Sequence, residues 1–91
     1  MENSIIIIFD TPLIYPNKRG KWSHLVSNDL NALHAFVKKI GHTGRFQNKK
    51  KKGKKQPHYD LPEFLVPAAL SAGAKQVTRK ELLLFLEAHF Y

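Results

Sequence analysis

Ninety-one residues carrying fifteen Lys and Arg against seven Asp and Glu give a formal charge of +8, which excludes an acidic nucleic-acid mimic and points to polyanion partners. A chain this short hides only roughly 60–70% of the surface its unfolded form exposes, so it has room for one modest core and reads as a single α/β domain over 1–91. At 43% hydrophobic residues it is no disordered tail, and with no cysteine it carries neither a disulfide framework nor a thiolate zinc module, which suits a reducing, cytoplasmic address.

Ile5-Ile6-Ile7-Ile8-Phe9, ending at Asp10 and Pro12, reads as a strand buried on both faces, as central parallel strands are. The run is too short for a secretory apolar region, Glu2 stands where positive charge belongs, and no stretch approaches about 20 apolar residues, so no membrane segment is expected. Residues 11–26 hold Pro12, Pro16 and Gly20 without either periodicity and read as a long loop, a length that tends to be functional.

From Asp29 the spacing Leu30, Leu33, Phe36-Val37, Ile40 predicts a helix, with Ser27 or Asn28 as N-cap, Lys38-Lys39 in the last turn and Gly41 as the stop. A short strand follows near Thr43–Gln47. Lys49-Lys50-Lys51-Lys52-Gly53-Lys54-Lys55 has no apolar residue and reads as a mobile, solvated loop over 48–57. Pro62 fits the first turn of a second helix that Pro67 shortens before Gly73, and Ala74–Val77 reads as a strand. Thr78-Arg79-Lys80-Glu81 is a capping box opening a last helix that runs almost to Tyr91.

Strand and helix alternate three times, the order of a small parallel or mixed three-stranded sheet with about three helices, like half of a Rossmann fold. In such sheets ligands sit beyond the carboxyl ends of the strands. That edge would gather Asp10, the lysine segment and Thr78-Arg79.

His58-Tyr59-Asp60, directly behind the lysine run, is the most distinctive constellation. His24, His34 and His58 lie in polar contexts, where imidazole suits proton transfer near neutral pH. With no HExxH or GxSxG in the chain, an enzymatic reading rests on a folded constellation. Two readings stay open at each position. His34 borders the apolar stripe of its helix and fits a core-edge role. His58-Tyr59-Asp60 fits a turn, with Asp60 capping the Pro62 helix, as well as a site. Asp10 is either a metal- or ribose-binding carboxylate or a turn starter, and Trp22 either packs over the core edge or stacks on a base. Arg45, Lys49, Lys50, Lys51, Lys52, Lys54 and Lys55 concentrate seven of the fifteen cations; they form a solvated loop, a nuclear-import-like signal or a phosphate-binding segment.

Trp22-Ser23-His24-Leu25, Leu33-His34-Ala35-Phe36, His58-Tyr59-Asp60 and Ala72-Gly73-Ala74 with Val77-Thr78 together resemble a family of small bacterial and phage proteins known as domain of unknown function 4031. The resemblance covers most of the chain in order and carries no activity with it. It implies that Asp10, His24, His34, His58 and Asp60 are the positions to test. Relatives often have two acidic residues where Phe9-Asp10 stand here, and the lysine run is an elaboration of this member.

The leading expectation is a small nucleic-acid-associated protein that binds phosphates through the lysine segment and presents a His/Asp-lined pocket; if it is an enzyme, metal-dependent phosphodiester or nucleotide hydrolysis fits best. Asp10 and Asp60 would hold Mg²⁺ or Mn²⁺, and His24 or His58 would move the proton. The rival is a non-catalytic phage or bacterial module that occupies a host protein, with structural histidines.

Overall fold

The computed structural model describes residues 4–48, 50–51 and 54–90. Strands β1 (Ile7–Asp10), β2 (Leu13–Ile14) and β3 (Lys21–Ser27) precede helix α1 (Leu30–Lys39). Short strands β4 (Phe46–Gln47), β5 (Lys50–Lys51) and β6 (Lys54–Lys55) then lead to β7 (His58–Pro62). A 3₁₀ turn (Glu63–Leu65), helix α2 (Val66–Ser71), β8 (Lys75–Val77) and helix α3 (Arg79–Phe90) complete the chain. Among the described residues no helix is long and apolar enough to cross a membrane.

The sheet is mixed and six-stranded among the described residues, in the order β4-β7-β3-β1-β8 with β2 also on β3. Only β1 and β8 pair in parallel; β1 with β3, β3 with β7 and β4 with β7 are antiparallel. This corrects the three-stranded reading. The segment read as a loop over 11–26 contains β2 and most of β3, in which Leu25, Val26 and Ser27 are all buried and two of the three buried positions on the Leu25 face are Ser23 and Ser27. Buried serines erase the apolar alternation by which a half-buried strand is recognised.

Each face of the sheet has its own core. Phe9, Leu25, Tyr59 and Leu61 pack against Leu33, Phe36 and Val37 of α1 and Ala69 of α2. On the opposite face Ile8 and Val26 pack under Leu82 and Leu86 of α3. β1 is therefore covered on both sides at Ile8 and Phe9, as its continuous apolar run requires, while Ile5 and Ile6 before it are exposed.

Local signals account for the helices. Asp29, not Ser27 or Asn28, caps α1 by accepting from Ala32 N at 3.0 Å. Ser27 Oγ instead accepts from Asp29 N, and Asn28 accepts from Ile6 N and donates to Ser4 O, tying the strand entry together. Gly41, at φ +79°, stops α1. The capping box forms as its sequence requires, with Thr78 N donating to Glu81 Oε1 and Glu81 N to Thr78 Oγ1.

Residues 58–62 form a strand and not a turn, with Tyr59 and Leu61 inward, so Asp60 caps no helix. Pro62 ends that strand, and Pro67 sits in the first turn of α2, where its missing N–H costs nothing. In the lysine segment, expected as a loop, Lys50–Lys51 pair antiparallel with Lys54–Lys55. Lys49 and Lys52 lie outside the described residues.

Candidate metal centre

Strand parity builds the site. Ile8 and Asp10 share one face of β1, Val26 and His24 share the same face of β3, and His58 and Asp60 share it on β7. The register sets His24 opposite Asp60 across the β3–β7 ladder. Helix α3 covers the apolar part of this face and begins at Arg79, leaving the polar end open. Between the two lies a pocket of about 50 Å³ lined by His24, His58 and Arg79 on one side and Val26, Leu82 and Leu86 on the other.

Asp10 is fully buried. Its Oδ1 accepts from His24 N at 2.6 Å, and its Oδ2 lies 3.0 Å from His24 Nδ1 and 3.2 Å from Arg79 Nη1. Burial pushes this carboxyl up, but the two bonds from His24 and the Arg79 charge outweigh it and hold the group below the usual carboxylate range. The ion therefore stays charged inside the protein because donors surround it.

That carboxylate decides the proton of His24. Nδ1–H donates to Asp10, which leaves Nε2 with its lone pair. Arg79 Nη1 is also 3.2 Å from Nδ1, but a protonated Nδ1 cannot accept from it, so the guanidinium belongs to Asp10. His58 is also oriented from behind: Nδ1–H donates to the Gln56 carbonyl at 2.7 Å, and Nε2 lies 3.3 Å from Asp60 Oδ1, to which it donates when it carries a proton, a proton that a bound metal ion would replace. Asp60 Oδ2 accepts from Lys18 Nζ at 2.7 Å. The His58 contact first, and Lys18 after it, hold the Asp60 carboxyl well below its ordinary range.

One ring nitrogen each of His24 and His58 and one oxygen of Asp60 lie within 4.8 Å of one another. Bonds of about 2.0–2.2 Å to a tetrahedral ion bring ligand atoms to roughly 3.4 Å apart, so a small inward movement completes the triad. Carboxylate–histidine and carbonyl–histidine bonds behind metal-ligating imidazoles are the usual way such rings are oriented, and Asp10 and Gln56 supply both here. Among the described residues no other three His, Asp or Glu side chains converge in this manner. The rings of His24 and His58 meet edge to face at 5.2 Å, and Tyr15 stands against the other side of His24 at 5.5 Å. The Tyr15 hydroxyl is buried without a partner, and burial first, then the charges of Asp10 and Asp60, raise its pKa.

The structure thus brings His24, His58 and Asp60 together and places Asp10 behind His24, both of its oxygens engaged, instead of beside Asp60. His34 lies apart: it faces the α1 side, with Nδ1 2.7 Å from Tyr59 Oη and its ring against Phe46. Trp22 donates from Nε1 to Arg19 O, under the Lys18 ammonium 4.3 Å from its ring. Arg45 is exposed ahead of β4. Lys50–Lys51 and Lys54–Lys55 form the hairpin that runs through Gln56-Pro57 into β7. Lys18 and Tyr15 were not legible as site residues, because both lie in the stretch without periodicity.

No curated protein and no solved structure matches this chain. The family model described as protein of unknown function (DUF4031) matches residues 7–89, a span that holds every residue of the site, and the chain belongs to that family.

Proposed function

We propose that this protein is a metal-dependent hydrolase of phosphodiester bonds, with His24, His58 and Asp60 as ligands of a divalent ion and nucleic acid as the substrate. The observation that carries the reading is the convergence of those three ligand atoms with Asp10 and the Gln56 carbonyl orienting the two rings. Two imidazoles and one carboxylate favour Zn²⁺ or Mn²⁺ over the Mg²⁺ that a purely oxygen site would take.

An ion held by His24, His58 and Asp60 would polarise a phosphoryl oxygen and acidify a water. The chain's own groups do the rest. Asp10 keeps His24 in the tautomer that offers Nε2. Lys18 and Arg79, at 37% and 50% side-chain exposure, stand on either side as cations able to meet the charge of a phosphate. In the overall reaction water oxygen bonds to phosphorus, the ester P–O bond breaks, and the water proton ends on the leaving oxygen. The formal charge of +8 and the lysine hairpin leading directly into β7 support a polyanionic substrate.

The test is hydrolysis of bis(p-nitrophenyl) phosphate and of single-stranded DNA and RNA with Zn²⁺ or Mn²⁺. Turnover that EDTA abolishes and His58→Ala removes supports the reading; turnover insensitive to both, or none with any ion, refutes it. A second reading, a non-catalytic module that docks on another protein, draws support from the apolar side chains of Ile14 and Phe64, which are 75% and 78% exposed.

A further inference from the structure

We infer that His42 is a positioning residue for Asp60, holding the carboxylate strand of the metal centre in place from its outer edge. This rests on the metal-centre reading and adds a residue to it. Along β7 the outer neighbour β4 pairs only as far as Phe46 with Tyr59 and Gln47 with His58. The next residue of β7 is Asp60, and no residue of β4 stands opposite it. At that level the His42 ring takes the place of a strand: its Nε2 lies 2.6 Å from the Asp60 carbonyl oxygen and donates to it.

The ring is held by both nitrogens. Nδ1 accepts from Gly44 N at 3.0 Å, so its partners place the proton on Nε2 and the neutral tautomer is fully used. His42 is buried, its plane stands edge to face with Tyr59 at 5.6 Å, and its own N–H donates to Val37 O at the end of α1. Gly44 is part of the device: a Cβ there would collide with Cε1 of the imidazole, so only glycine lets the backbone close over the ring. The chain Val37, His42, Asp60 therefore couples the end of a packed helix to the one anionic ligand, opposite His24 on β3. Partners behind the ligands of a metal commonly set affinity by 10–100-fold when removed.

The experiment is Co²⁺ titration of the full chain, followed by calorimetry and by the visible absorption of histidine-ligated Co²⁺, at a temperature where circular dichroism shows each protein folded. Wild type is expected to bind, His42→Leu and Gly44→Ala to bind about 10–100-fold more weakly, and His42→Gln, whose side-chain amide donates from the position of Nε2, to stay close to wild type. A lowered Tm in His42→Leu with unchanged Kd assigns the ring to the fold alone and overturns the positioning role, leaving the metal centre standing. A wild type that takes up no Co²⁺ overturns the metal centre and this inference together. If His42→Leu does not fold, Gly44→Ala decides: binding as tight as wild type overturns the inference, and binding weakened while His42→Gln is spared sustains it.

Discussion

Replacing Asp10 by Asn changes one atom and reverses the hydrogen-bond logic behind His24. In wild type the carboxylate accepts from His24 N, His24 Nδ1–H and Arg79 Nη1. An Asn keeps an oxygen for His24 N, the shorter contact, and so puts an NH₂ where Oδ2 was. That group donates, so His24 Nδ1 must accept, its proton moves to Nε2, and the lone pair that the wild-type tautomer leaves on Nε2 is lost. Arg79 meanwhile loses its anion and faces a donor. Loss of an orienting carboxylate costs about 10–100-fold in metal affinity, or roughly 1.4–2.8 kcal/mol at 1.4 kcal/mol per tenfold. The buried donors left without their charged acceptor cost about 1–3 kcal/mol of stability, which for a domain of this size lowers Tm by roughly 4–8 °C per kcal/mol. Zinc calorimetry on Asp10→Asn and wild type, with thermal melts of both, measures the two effects separately. Equal zinc affinity in a folded Asp10→Asn protein would refute the tautomer argument and with it the role assigned to His24 Nε2.

Leu25→Ala, at a fully buried position under α1, is expected to cost about 2–5 kcal/mol in urea denaturation; a cost under 1 kcal/mol would mean that the β3 core position is misassigned. Bonds from Thr78 hold the folded pKa of Glu81 below the ordinary range of a glutamate, so its contribution is present above the unfolded pKa and lost as pH falls through the folded one. The stability difference between wild type and Glu81→Gln should accordingly be seen at pH 7 and vanish in acid, and a difference that grows on acidification would contradict the cap. Nucleic-acid binding should fall with salt at a log–log slope of roughly −3 to −5, and Gln at Lys50, Lys51, Lys54 and Lys55 should remove most of that slope for all sequences alike. A slope unchanged in this variant would take the hairpin out of the interface.

Elements whose signals are local were readable from the chain itself. The 3.6 spacing and the glycine stop of α1, the Thr78-x-x-Glu81 box of α3 and the apolar run of β1 each depend on residues close in the chain; the two helices stand where those residues put them, and β1 takes only the Ile7–Phe9 part of its run, with Ile5 and Ile6 ahead of it. The individual residues His24, His58, Asp60 and Asp10 also stood out, because imidazole and carboxylate are the groups that move protons and hold metals, although a turn or cap role stayed open for them. What the sequence left open was their grouping. Ser23 and Ser27 hide β3 from any test of periodicity, and a strand that is not seen can bring nothing together. His24 meets Asp60 only through an antiparallel ladder between segments far apart in the chain, and Asp10 reaches His24 only because β1 flanks β3. Pairing register is fixed by burial of Phe9, Leu25, Tyr59 and Leu61 under α1 and α2. The helices choose the register, and the register assembles the site on the opposite face, a consequence of packing that no local stretch of the chain encodes.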